Sequence, residues 1–596
     1  MKSALLSGLL LALLGVSSAA QEMIPPRLSF AQVDWAAAFA TLADIDAPRS
    51  AATAARLRPA NAGVNRQTSR AFARLNAIMA QRFAGVATSP VPVLLPFDTG
   101  ALLNDQAAGT ADSGNERYLS GFHAAKFFYP GPAGYDAAFA IRTGDVPELS
   151  DIKFKEPIEV QISGSALLYD LDWPTVASGQ PVPALEAEFP GIRRLILEHH
   201  LRYTFVRFGV PYVVSIICFD AGVSRYRMPT CRNAEQVALR FLRALRVAGG
   251  MPHRLRPARP LPIERPPKLT QNFSYHAPGK ILSGTGFRGE GGRADHTVYS
   301  QIRFPLAEAP AYANSQMFQS RNRTSDSNVS PNYSYPWRDN FCERRGFPVG
   351  QCPAGIGHQG QDIRPARCKP AAGADRCTQN DDVVAVRGGV ILRSRRQEAA
   401  YIFVNSAVEH IRFRYLHMNP RKMDEDDLLS GRRVHEGEVI GQVSNFSNKA
   451  NGTSYHLHFD VQVPTKDGWV FVNPYMTLVA AYERLIGERG SEFSEPTLVS
   501  TTDGNGPASV GHAPAVELPK PAAENAAASV GRAPQVELPK PADEDATASV
   551  GRAPQVETPK PKPSKFSRAS KSKKHGRHRH AKKHRPKKKQ IQQASQ

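Results

Sequence analysis

The chain has 596 residues, 41% of them hydrophobic, which sets a prior of two to four domains and supplies apolar material for at least one large core. Its net charge of +21 is unevenly spread: from Thr558 onward there are 15 Lys or Arg and no Asp or Glu, so the rest of the chain carries +6 and the excess belongs to a tail. Beyond the N-terminal stretch no apolar run is long enough to span a bilayer, and no C-x-x-C occurs, so no transmembrane helix is expected in the mature chain and a four-cysteine structural zinc site is argued against.

The N-terminus reads "MKSALLSGLLLALLGVSSAAQ". Lys2 gives a positive start, Ala4 to Val16 an apolar stretch too short to cross a membrane, and Ser18-Ala19-Ala20 a small-residue cleavage site. Residues 1–20 therefore read as a secretory signal, and the mature protein as exported. The six cysteines fit an oxidising compartment and fall as sequence neighbours: Cys218 with Cys231, Cys342 with Cys352, Cys368 with Cys377. Three short-loop disulfides are expected.

Residues 21–250 read as a mixed α+β accessory domain. Phe72, Leu75, Met79 and Phe83 fall on one helical face. "PIEVQISGSALLYD" and "YTFVRFGVPYVVSIICFD" read as strands, and "NAEQVALRFLRALRVAGG" as a helix capped by Asn233 and stopped by Gly249-Gly250. No chemical constellation stands out there. A Pro/Arg-rich linker, 251–267, leads to a second folded region, 268–487, with short β patterns such as "DDVVAVRGGVIL" turning at Gly388-Gly389. "GTGFRG", residues 284–289, matches a dinucleotide-loop pattern but starts no helix and reads as a loop.

Residues 488–557 change character. "ASVGHAPAVELPKP" at Ala508 recurs as "ASVGRAPQVELPKP" at Ala528 and "ASVGRAPQVETPKP" at Ala548, a 20-residue repeat poor in large apolar groups. It reads as a disordered, partly polyproline-like spacer, whose roughly 60 repeat residues reach at most about 190 Å at about 3.1 Å per residue. Residues 558–596 are the basic, disordered tail. Basic runs bind phosphate backbones, but an exported chain rarely meets nucleic acid, so none is expected as a partner. Wall polymers, lipopolysaccharide and anionic lipid head groups are the polyanions within reach.

The chemistry gathers between residues 355 and 461. In "TSYHLHFDV" a strand places His456, His458 and Asp460 on one face and Tyr455, Leu457, Phe459 and Val461 on the other. Upstream, "GIGHQGQDIRP" holds His358 and Asp362 on glycine-rich, irregular backbone. Between them "HIRFRYLHM" puts Ile411, Phe413, Tyr415 and His417 on one strand face, with His417 at the end. A catalytic zinc takes three protein ligands and leaves a position open. His358, Asp362 and one histidine of the pair supply that set, and the remaining histidine and His417 line the open position.

The order H-x-G-x-D, Y-x-H, H-L-H-F-D resembles the lysostaphin/LytM-type zinc metallopeptidases over about residues 340–480. The resemblance implies a β-rich duplicated hybrid motif, one zinc ion held by His358, Asp362 and His458, and His456 and His417 as the non-ligand histidines that handle the water and the developing oxyanion. It implies hydrolysis of peptide bonds in bacterial peptidoglycan, in the periplasm or at the cell wall, with the D-Ala–diaminopimelate cross-link as the target by analogy. A second reading is a catalytically silent wall-binding regulator or activator of other wall hydrolases, against which the complete ligand set speaks. Two departures from the family pattern stand out: the Cys368–Cys377 segment reads as an insertion, and "SNFSNKANGTS" replaces a short glycine-rich loop. The expected architecture is thus multidomain: an α+β N-terminal domain, an all-β peptidase domain and a disordered C-terminal tail.

Overall fold

Alternating apolar residues in the first half make strands that all pair antiparallel. In the computed structural model, seven of them form one sheet in the order His123–Gly131, Gly134–Ile141, Ile158–Ser165, Val210–Ile217, His200–Arg207, Arg193–Leu197, Gln180–Pro181. The described residues run from 23 to 493 without 24, 47–65, 113–115, 143, 150–156, 172–178, 198–199, 219–228, 253–261, 283–284, 286–299, 316–329, 348, 350–351, 367–380 and 448. The signal segment, Cys368, Cys377, the "GTGFRG" stretch apart from Thr285, half of the Pro/Arg-rich linker, the repeats and the basic tail lie outside them.

The helix Cys231–Ala244 packs Val237, Ala238 and Phe241 onto this sheet, with Phe241 against Phe122 and Phe139. Its start and end differ from the sequence expectation. Thr230, in extended conformation, is the cap and its hydroxyl accepts from the Asn233 N–H, satisfying one of the orphan donors of the first turn. The apolar tail "RVAG" leaves the helix to pair as a strand, Arg246–Gly249, with Val93–Leu95. Phe72, Leu75, Met79 and Phe83 are buried in the same core, as their spacing predicts.

The second sheet has eight strands. Its order is Ala311–Ala313, Gln361–Pro365, Leu457–Thr465, His410–Leu416, Ala400–Asn405, Gly389–Leu392, Arg433–Val434, with Gly468–Val472 paired to Leu457–Thr465. Leu457–Thr465 is buried along its whole length and central to the sheet. One face, with Phe413, Tyr415, Leu457 and Phe459, is the hydrophobic core. This region is not all β. The helix Tyr475–Ile486 closes it, bringing Tyr482 against Phe273, Phe304 and Trp337, because the run "YMTLVAAYERLI" is apolar almost all round. "DDVVAVRGGVIL" forms two short strands on either side of the glycine turn that pair elsewhere: Asp382–Val384 with Val439–Gln442, and Gly389–Leu392 with Ala400–Asn405 and Arg433–Val434.

The other face of the second sheet meets the first half of the chain. Phe127 and Ala138 pack against Val390, Leu392 and Phe403. Asp136 accepts from His410 Nε2 at 2.9 Å and from Arg412 Nη2 at 2.8 Å, with all three side chains buried. Trp469 Nε1–H donates to Ser163, and Arg202 donates to Gln462 at 3.0 Å. No helix among the described residues is long and apolar enough to cross a membrane.

Candidate metal centre

Three adjacent strands build the site by register. Asp362 is paired with His458, and His458 with Leu416 on its other side. The glycine of H-x-G-x-D is required by this packing: a Cβ on Gly360 would lie 2.4 Å from the Phe459 carbonyl oxygen and 2.8 Å from the Asp460 Cβ. His358 precedes the strand on a loop tied by the Cys342–Cys352 disulfide, and the Cys342 N–H donates to the His358 carbonyl. Gly357 is equally confined, since a Cβ there would meet Cys342 and Cys352 Sγ within 3.0 Å. Cys218–Cys231 is the other disulfide among the described residues; it lies at the helix start in the first half.

The structure brings His358, Asp362, His417, His456 and His458 together. His358 Nε2 lies 3.0 Å from His458 Nδ1, and Asp362 Oδ1 lies 3.3 Å from the first and 3.2 Å from the second. The remote nitrogens are already engaged. His358 Nδ1–H donates to the Asn340 carbonyl at 2.8 Å, and His458 Nε2–H donates to Asp460 Oδ2 at 3.1 Å. The three converging atoms are therefore two imidazole lone-pair positions and a carboxylate oxygen, and the point between them demands a cation. A proton on His458 can fill it, and its imidazole is pushed up to about 9: burial opposes the charge, but the bonds to Asp362 and Asp460 outweigh it.

A metal fits better. Tetrahedral zinc with bonds of about 2.0–2.1 Å sets its ligand atoms about 3.3 Å apart, the spacing found here. Asp362 Oδ2 is buried with no hydrogen-bond partner. Burial pushes this carboxyl up, yet the imidazoles of His358, His456 and His458 around it hold it well below the ordinary range, so it stays an anion. Burial lowers His358, keeping its nitrogen free as a ligand.

The two remaining histidines frame the same point without joining the ligand triangle. His456 Nε2 is 3.4 Å from Asp362 Oδ1, and its Nδ1–H donates to the Ser454 carbonyl at 2.9 Å. His417 Nδ1–H donates to the Phe446 carbonyl at 2.8 Å, and its ring centroid is 4.7 Å from that of His456. Both acceptors belong to the "SNFSNKANGTS" stretch, so this loop sets the tautomer of both rings. Burial lowers His417 to about 4 and His456 well below its ordinary value, leaving both neutral near neutral pH.

The position of His417 differs from the alternation expected for its strand. Ile411, Phe413 and Tyr415 face the core, but His417 does not follow them. Its φ of +67° ends the strand and turns the ring to the His456 side. Sequence reasoning missed Asn340, whose carbonyl holds His358 and whose side-chain oxygen accepts from the Asp362 N–H. It also missed two ionisable neighbours. Arg345 Nη2 stands 3.9 Å from Asp362 Oδ2, and Glu343, wholly buried, is pushed up to about 8 by burial despite Arg345. Their run "CERR" carries no signal of either role.

No protein-family model matches the chain, and no curated protein matches it. Among solved structures, the chain is similar to a glycyl-glycine endopeptidase, lytM, from Ruminococcus gnavus at 16% identity and a TM-score of 0.19. The likeness covers 32% of this chain and 62% of that one.

Proposed function

We propose that this chain is an exported zinc endopeptidase that hydrolyses peptide cross-links of bacterial peptidoglycan. The observation that carries the reading is the triangle of His358 Nε2, Asp362 Oδ1 and His458 Nδ1, with sides of 3.0–3.3 Å and two neutral histidines beside it. The motif resemblance supplies the substrate class.

A zinc ion held by those three atoms supplies a Lewis acid and makes a coordinated water acidic near neutral pH. The chain's own residues do the rest. His456 and His417 each have one nitrogen tied to a backbone carbonyl through its proton, so the other nitrogen presents a lone pair. Either can accept the proton of the attacking water. The imidazolium so formed stands beside the reacting carbonyl, where it stabilises negative charge on the oxygen and returns the proton to the leaving amine. Burial of His456 and Asp362 keeps bulk water from competing for these bonds.

The test is zinc content together with loss of turbidity of purified sacculi. One zinc per chain with chelator-sensitive clearing supports the reading. Zinc without any clearing points to the silent regulator, and a full chain that takes up no zinc overturns the reading.

A further inference from the structure

The ring of His458 can lend Nδ1 to a metal only if something fixes its tautomer and its tilt. Asp460, two residues along the same strand and on the same face, does the first: its Oδ2 receives the Nε2–H at 3.1 Å. The same oxygen receives Arg414 Nε–H at 2.5 Å, from the residue paired with Asp460 across the sheet. Asp460 and Arg414 are buried, so this charge pair is shielded from water and salt. Arg414 in turn lies over the rings of Tyr401 and Phe471, at 6.0 and 5.8 Å. Phe471 also lies under Arg202 of the first half, at 5.9 Å, and Arg202 donates to Gln462, the cross-strand partner of Phe471. A continuous column of contacts runs from the metal ligand into the other half of the chain.

We propose that Asp460, gripped by Arg414, is the positioning residue of the metal centre: it holds His458 in the Nε2–H tautomer and aims Nδ1 at the metal. This rests on the zinc reading above and extends it to residues that touch neither metal nor substrate. Outer partners of metal-bound histidines raise ligand basicity and fix ring orientation, and losing one typically weakens the metal about 10–100-fold.

The experiment measures zinc affinity of the full chain by competition with a chromophoric chelator, and the absorption spectrum of the cobalt-loaded protein. Asp460→Ala is expected to weaken zinc about 10–100-fold and to shift the cobalt bands. Asp460→Asn, which keeps an oxygen acceptor for Nε2–H, is expected to recover part of the loss. Because Asp460→Ala strands the buried Arg414 charge, the double variant Asp460→Ala/Arg414→Met is measured beside it. It is expected to be no weaker in zinc than Asp460→Ala alone, since the two side chains act as one unit. Zinc affinity in a folded Asp460→Ala or double variant within twofold of the unaltered chain overturns the positioning role while leaving the zinc reading intact. An unaltered chain that binds no zinc overturns both.

Discussion

On the proposed zinc reading, two histidines one residue apart do different work, and the difference is set by what holds their remote nitrogens. His458 gives Nδ1 to the ligand triangle because Asp460 takes its Nε2–H, whereas His456 presents Nε2 because Ser454 takes its Nδ1–H. Accordingly His458→Ala should lose zinc, being one of three protein ligands, when metal content is read by mass spectrometry. His456→Ala and His417→Ala should keep about one equivalent and lose about 10²–10⁴-fold in turnover on cross-linked muropeptides. Loss of zinc in His456→Ala with retention in His458→Ala would reverse the assignment within the pair. The shared face of the pair was legible in the sequence, because strand alternation needs only residue identity. The turn of His417 was not, since a positive φ at a histidine leaves no mark in the residue pattern. Neither were the carbonyls of Asn340, Phe446 and Ser454, because every residue carries one.

At the scale of elements, the site depends on how closely the Gln361–Pro365 strand lies against Leu457–Thr465 and on the tether of the loop before it. Gly360→Ala places a methyl against backbone that cannot retreat without breaking the Asp362–His458 pairing, so it should lower both thermal stability and zinc affinity. A variant with unchanged melting temperature and zinc affinity would show that the strands have room to part. The Cys342–Cys352 bridge closes a loop of 10 residues, for which chain entropy gives roughly 2–3 kcal/mol of stability. Replacing both cysteines with serine should lower the unfolding free energy by that amount, and with it the urea midpoint, and weaken zinc, because Cys342 N–H holds the His358 carbonyl. Equal midpoints by urea titration would contradict it. Neighbour spacing of the cysteines pointed to this bridge. The run around Gly388-Gly389 shows the converse: the glycines mark a turn, but the strands on its two sides pair elsewhere, Asp382–Val384 with Val439–Gln442 and Gly389–Leu392 with Ala400–Asn405.

At the scale of the molecule, the first half of the chain is packed on the sheet that carries the site, and that contact was hidden in the sequence. Asp136, His410 and Arg412 look like the solvated residues of alternating strands, and nothing in their spacing says that they meet. Burial pushes the Asp136 carboxyl up, but His410 and Arg412 hold it below its ordinary value. A depressed carboxylate contributes stability that is present above its unfolded pKa of about 3.9 and is lost as pH falls through the lower folded value. Acid titration from about pH 4 downward should therefore release this contact. Asp136→Asn, which leaves the buried Arg412 guanidinium without its carboxylate, should cost about 3–5 kcal/mol at neutral pH and flatten the acid limb of the stability profile. An unchanged acid limb would remove Asp136 from the account. Outside the described residues, the 15 cations from Thr558 onward are proposed to hold the protein on anionic wall or membrane polymers. Deleting 558–596 should weaken retention on sacculi at low salt and leave cleavage of small muropeptides unchanged; equal retention would contradict it. The account as a whole is tested most directly by mass spectrometry of the fragments that the full chain releases from purified sacculi, with and without a zinc chelator. It predicts chelator-sensitive release of peptides cut at their cross-links with glycan strands intact; fragments cut in the glycan, or identical products with and without chelator, would contradict it.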